Sequence, residues 1–163
     1  FNLFMGKTGC ATCHFVTNFN GVKPPYIGSE FEVLGVPLNK DSQELDRDSG
    51  RYKINPAGEM LHAFRTGTLR NSTFTKPYMH HGLFSTMDDV IDFYDAGGGS
   101  GKKISIANQT LPPDSLRLTK EEKHALKKFM ETLDEDIIFP TAPTKLPDSR
   151  LEIYRGRKVG GEY

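Results

Sequence analysis

The sequence predicts an all-α domain of short helices joined by long loops, and three observations carry that expectation. Two segments, 85–95 and 119–133, place apolar residues at helical spacing behind a capping residue. No run alternates apolar and polar residues over the length a sheet needs. The 16 Gly and 10 Pro supply long turn-forming stretches between the helical segments.

Taken in chain order, Leu3, Phe4 and Met5 form a short helix-like pattern running into residues 9–15, "GCATCHF". From Asn18 to Asn55, "NGVKPPYIGSE" and "LNKDSQELDRDSGRY" are dense in Gly, Pro, Asp and Ser and predict a long wrapping loop. "GEMLHAFRTG" predicts a helix of two or three turns stopped by Gly67. In "FSTMDDVIDFYDAGGG", Ser85 or Thr86 caps a helix whose first turn carries Asp88 and Asp89, favourable against the helix dipole. Met87, Val90, Ile91 and Tyr94 fall on one of its faces, and Gly97 to Gly99 end it. Thr119 and Glu122 form a capping box for a helix with the apolar stripe Leu126, Phe129, Met130 and Leu133. The division expected is one domain over residues 1–135 and an extended strap, 136–163, packed on it.

At 163 residues the chain has one domain's length, and its 36% hydrophobic content is low, so a bound group that brings its own apolar surface would help complete the interior. The 21 basic and 21 acidic residues cancel and are intermixed, which argues against nucleic acid and anionic membrane surfaces as partners. No run of about 18 apolar residues is present to span a bilayer. The start, "FNLFMGKTGC", has neither a signal peptide's pattern nor an initiator Met, and is expected to belong to a longer chain.

Cys10 and Cys13, with His14 behind them, are the only cysteines in the chain. Two thiols three residues apart can each add to one vinyl group of a haem, and the next residue's imidazole then reaches the iron. Zinc would require two further ligands, and His62, His80, His81 and His124 offer no pair at finger spacing. A thioredoxin-type dithiol expects a βαβ context, and a disulfide across two residues would close little loop. Covalent haem is therefore the favoured reading, with a dithiol or another metal as the alternative and inert cysteines after it. Haem attachment would place the chain in the periplasm or otherwise outside the cytoplasm.

Residues 63–99, "AFRTGTLRNSTFTKPYMHHGLFSTMDDVIDFYDAGGG", together with "GCATCHF", "FEVLGVP" and "DSGRY", resemble the C-terminal haem domain of the bacterial di-haem cytochrome c peroxidase and MauG superfamily. The resemblance covers residues 1 to about 135 and implies a cytochrome c-like domain around one covalently attached haem. It implies His14 as proximal iron ligand and Tyr94 as the MauG-like distal ligand, with Met79 and Met87 as competing sulfur donors. A phenolate is a hard donor that favours ferric iron, whereas thioether sulfur favours ferrous iron. Thr75 and Pro77 match positions whose backbone carbonyls hold a calcium ion, Arg70 in "LRN" suits a haem propionate, and His80 matches a histidine near the haem edge. His81 departs from the pattern, which carries Asp or Asn there.

Family members have two haem domains, and this sequence has one haem motif. The expectation is a haem domain that relays electrons or oxidising equivalents to a peroxide-reactive haem in an N-terminal domain of the same protein. The parent would be a hydrogen-peroxide-dependent oxidoreductase served by a redox protein or a small electron donor, and this chain alone would not be fully active. A stand-alone mono-haem electron carrier is the alternative, and a haem-free interaction module a third. No catalytic residue is assigned by the sequence.

Overall fold

The structure is a computed structural model in which residues 1–136, 144 and 146–155 are described. The all-α expectation is overturned: among the described residues the fold is mixed. Four α-helices form among the described residues, α1 Asn2–Met5, α2 Met87–Asp95, α3 Gly98–Gly101 and α4 Lys120–Glu131, together with a two-stranded antiparallel sheet. In that sheet β1, Phe31–Glu32, pairs with β2, Phe64–Arg65, with Phe31 opposite Arg65 and Glu32 opposite Phe64. Short 3₁₀ turns at Cys10–Thr12, Arg51–Lys53, Gly58–Met60 and Ser72–Phe74 carry much of the remaining chain.

Residues 58–67 show why. After the turn Gly58–Met60 the backbone extends at Leu61, and Phe64–Arg65 is drawn into the sheet. The amide of Thr66 donates to the Glu30 carbonyl at 3.1 Å, and the amide of Gly21 donates to Thr66 at 3.3 Å. Long-range backbone partners thus outbid the local helical bonds, since helix propensity is only a weak preference. The expected helix is a turn and a strand. Within the expected strap, the described residues 146–155 are mostly exposed and hold one turn, Glu152–Tyr154; residues 137–143, 145 and 156–163 lie outside the described residues.

The two amphipathic helices form where their caps lie. Thr86 accepts the Asp89 amide at 3.1 Å to start α2. Thr119 and Glu122 make the reciprocal capping box that starts α4. Gly97 follows α2 in the left-handed conformation, φ 87°, which favours glycine. A side chain on Gly99 would collide with the Gly35 carbonyl oxygen, so α3 needs glycine at that position to pack against the backbone at Gly35.

Among the described residues the core holds two clusters, beside single buried residues such as Val33 and Ile104. Phe4, Phe19, Ile91, Leu126, Met130 and Leu133 join α1, α2 and α4, with Phe129 packed against them. The Phe4 and Phe19 rings meet edge-on, 5.7 Å apart, and Phe129 lies 5.1 Å from Phe4. Val36, Phe84 and Phe93 form the second cluster beneath α2. Lys123 binds Asp92 at 2.8 Å and Asp95 at 2.6 Å, and Lys127 binds Asp88 at 2.5 Å, so a row of charges holds α4 along α2. Asp95 also accepts the Leu118 amide at 3.0 Å and turns the chain into α4.

Phe4 is fully buried, and replacing it by Ala is expected to cost about 3–5 kcal/mol in urea unfolding of the chain. Burial works against ionisation of Asp95, but Lys123 and the Leu118 amide outweigh it and hold the carboxyl below its ordinary range. Its stabilisation is therefore present above the usual carboxylate pKa and is lost as pH falls through the lower folded value. Asp95→Asn is expected to destabilise by about 1–3 kcal/mol near neutral pH, and the difference from the parent should shrink steadily below about pH 4.

Candidate functional site

A cavity of about 680 Å³ runs between the two core clusters, within the ~300–1,000 Å³ range of small-molecule and cofactor sites. Its wall brings together residues from distant parts of the chain. Cys10, Cys13 and His14 come from the first turn, Phe64 and Arg65 from β2, and Met87, Val90, Ile91 and Tyr94 from α2. The α2 residues are those expected on one face of that helix. That face lines the cavity, while Phe93 on another face enters the second core cluster.

The 3₁₀ turn Cys10–Thr12 starts from Gly9 in the left-handed conformation and is closed by the Cys13 and His14 amides, which both donate to the Cys10 carbonyl. Both thiols are free. Burial pushes the Cys10 thiol up, against the hydroxyl of Thr8 at 3.2 Å. Burial pushes the Cys13 thiol up to about 11, with Glu32 and Glu30 adding to the rise and Thr12 opposing it. Both sulfurs are thus held as neutral thiols.

His14 has its Nδ1 within 3.3 Å of the Phe19 carbonyl and 3.2 Å of the Gly67 carbonyl. Two acceptors on one nitrogen require Nδ1 to carry the proton, which leaves Nε2 with the lone pair that a metal would take. Burial lowers the pKa of this ring, against the two backbone bonds, and keeps it neutral. Burial raises the pKa of Tyr94, and Cys10, Cys13 and Glu32 add to the rise. Among the described residues its hydroxyl makes no hydrogen bond. The hydroxyls of Thr66 and Ser72, residues that border the cavity, are buried without a partner among the described residues. A cavity with two neutral thiols, an oriented imidazole, an unpartnered phenol and aliphatic walls fits a large apolar group with a metal at its centre.

The other expected residues fall differently. His80 borders the cavity, stacked on Phe64 at 3.7 Å and bonded through Nε2 to Asp46 at 2.9 Å. Burial opposes ionisation of Asp46, but bonds from His80 and the Asp48 amide, with His81 nearby, hold its carboxyl below the ordinary range. Met79 and Met87 both border the cavity, so the competing sulfurs are within the same site. Thr75 borders it and Pro77 does not; among the described residues neither backbone carbonyl accepts a hydrogen bond. Arg70 points elsewhere: it donates to the Thr17 carbonyl at 3.1 Å, pairs with Glu135 at 3.4 Å and lies 5.8 Å from the Phe19 ring centroid. The arginine that borders the cavity is Arg65, exposed on β2, whose Nε donates to the Ser29 hydroxyl at 3.1 Å. The motif "FRTGTLRN" contains both arginines, and only strand pairing with β1 selects the first.

No protein-family model matches the chain. It is 32% identical to cytochrome-c peroxidase IdrP2 of Denitromonas iodatirespirans over 98% of this chain and 44% of that protein. It is 31% identical to methylamine utilization protein MauG of Methylorubrum extorquens over 88% of this chain and 36% of that one. The chain thus spans less than half the length of these curated relatives. Among solved structures, a MauG-like protein associated with microbial copper homeostasis superposes with a TM-score of 0.66 at 25% identity, over 83% of this chain and 45% of its own.

The placement of the two arginines predicts a contrast. Arg70→Ala should lower stability by about 0.5–1 kcal/mol and leave the visible spectrum of haem-loaded protein unchanged, whereas Arg65→Ala should alter that spectrum or the yield of loaded protein. Absorption spectra and urea melts of the two variants check it.

Proposed function

We propose, for a chain that belongs to the bacterial di-haem cytochrome c peroxidase and MauG family, that it is a c-type haem domain working as one part of a longer, exported oxidoreductase. The observation that carries this reading is the meeting of Cys10, Cys13, His14 and Tyr94 on one cavity.

Each residue has a role in holding the group. Cys10 and Cys13 would add their S–H across two vinyl groups to form thioethers, a step that leaves the sulfurs without charge and suits sites that disfavour thiolate. His14 offers Nε2 to the iron, its ring held by the two carbonyl acceptors on Nδ1. Tyr94 offers its hydroxyl oxygen from α2; burial keeps the phenol protonated until a cation draws the proton away. Arg65, on the cavity wall, would pair with a propionate of the bound group. His80 would lie near the edge of the bound group. When bound, the haem supplies an iron that exchanges single electrons. Met87, Val90 and Ile91 of α2, which line the cavity, would keep water from the bound group.

Relatives more than twice as long support a second domain in the same protein. We assign the peroxide-reactive haem to that N-terminal part, and to this chain the relay of electrons or oxidising equivalents. A redox protein or a small electron donor would supply the reductant, and export to the periplasm follows from haem attachment. Among the described residues no helix is long and apolar enough to cross a membrane. The open carbonyls of Thr75 and Pro77 are offered as ligands for a calcium ion whose remaining donors come from the other domain.

Produced with a haem-attachment system, the chain is expected to show a c-type pyridine haemochrome, and Tyr94→Phe to change the ferric spectrum and raise the reduction potential. An unchanged spectrum and potential in Tyr94→Phe, with changes in Met79 or Met87 variants instead, would move the ligand to sulfur. Peroxidase turnover by residues 1–163 alone at the rate of a full-length relative would overturn the relay assignment.

A further inference from the structure

A second cluster of ligand-type side chains stands beside the cavity and has no part in the roles above except at His80. Asp46, His80 and His81 place one carboxylate oxygen and two imidazole nitrogens within 4.8 Å of one another. Two of the three are already fixed. The His80 ring is stacked on Phe64 at 3.7 Å with an interplanar angle of 9°. Asp46 receives the Asp48 amide at 2.9 Å, and its side chain, like that of His80, is only 15% exposed. The rings of His80 and His81 lie 4.6 Å apart.

The charges are unbalanced. Among the described residues no lysine or arginine pairs with Asp46, while its neighbour Asp48 takes Lys53 at 2.7 Å. A half-buried carboxylate whose only side-chain and amide partners among the described residues are one imidazole and one amide is an anion short of a cation. Two imidazoles with one carboxylate suit a borderline transition metal, whereas calcium and magnesium call for a shell of oxygens.

We propose that Asp46, His80 and His81 form a binding site for a divalent transition metal of the zinc or copper(II) type, separate from the haem iron. His80 exchanges its bond to Asp46 for a bond to the metal, Asp46 and His81 supply the other protein ligands, and water completes the shell. Occupancy ties the loop that carries Asp46 to the turn that carries His80 and His81. Two of the three residues border the cavity, so the metal braces its rim. The proposal does not depend on the haem assignment.

The test is a calorimetric titration of zinc into the full chain, produced with a haem-attachment system and stripped with chelator, after free thiols have been counted. Any chain with free thiols is alkylated first, so failure to load haem cannot pass for zinc binding at the cysteines. One saturable site is expected. His81→Asn and Asp46→Asn should each weaken it by about tenfold or more, and replacing the exposed His124 on α4 by Gln should leave it unchanged. With copper(II) in the same site, the electron paramagnetic resonance spectrum should show coupling to two nitrogens, reduced to one in His81→Asn. His81 is exposed, and its replacement should not disturb the fold, so the result can be read even if Asp46→Asn unfolds. Zinc binding that is unsaturable, that survives His81→Asn, or that falls equally in His124→Gln would overturn the proposal.

Discussion

The clasp of α4 along α2 is the constraint on which the rest depends. Three aspartates of α2 meet Lys123 and Lys127 of α4, while Ile91 of α2 and Leu126, Met130 and Leu133 of α4 share one apolar cluster. Exposed ion pairs contribute little individually, so the apolar contact supplies most of the stability and the charges set the register. That register rotates α2 so that Met87, Val90, Ile91 and Tyr94 line the cavity, with Phe93 packed in the second cluster. A chain with few apolar residues therefore uses one of its amphipathic faces to line a space.

The remaining elements close the space by backbone pairing. β1 and β2 are two residues each, too short to give an alternating pattern, and their partners lie more than thirty residues apart in sequence. Periodicity cannot reveal such a sheet. The same pairing turns residues 58–67 away from the helix that their composition predicts. It also brings Arg65, rather than Arg70, to the cavity wall. Arg70 instead links the segment at Thr17 to Glu135 just beyond α4.

Helices α2 and α4 were legible because capping and amphipathic spacing act within a few residues, and Thr86, Thr119 and Glu122 make the predicted bonds. The cysteine motif was legible for the same local reason. Membership in the di-haem peroxidase and MauG family was legible because its motifs are contiguous. The sheet and the Asp46, His80 and His81 cluster were not, since each joins segments whose approach no local rule encodes. The bond of His14 to the Gly67 carbonyl, 53 residues away, has the same long-range character.

By itself, then, the sequence determined which side chains could act as donors and where the two capped helices begin, since side-chain chemistry and caps are properties of short stretches. Tertiary structure alone decided the mixed class of the fold, that Arg65 and not Arg70 borders the cavity, the proton position on His14 and the neutral state of the thiols and phenol. Each of those depends on burial or on a partner distant in sequence. The energy of a buried group is set by what the fold places around it.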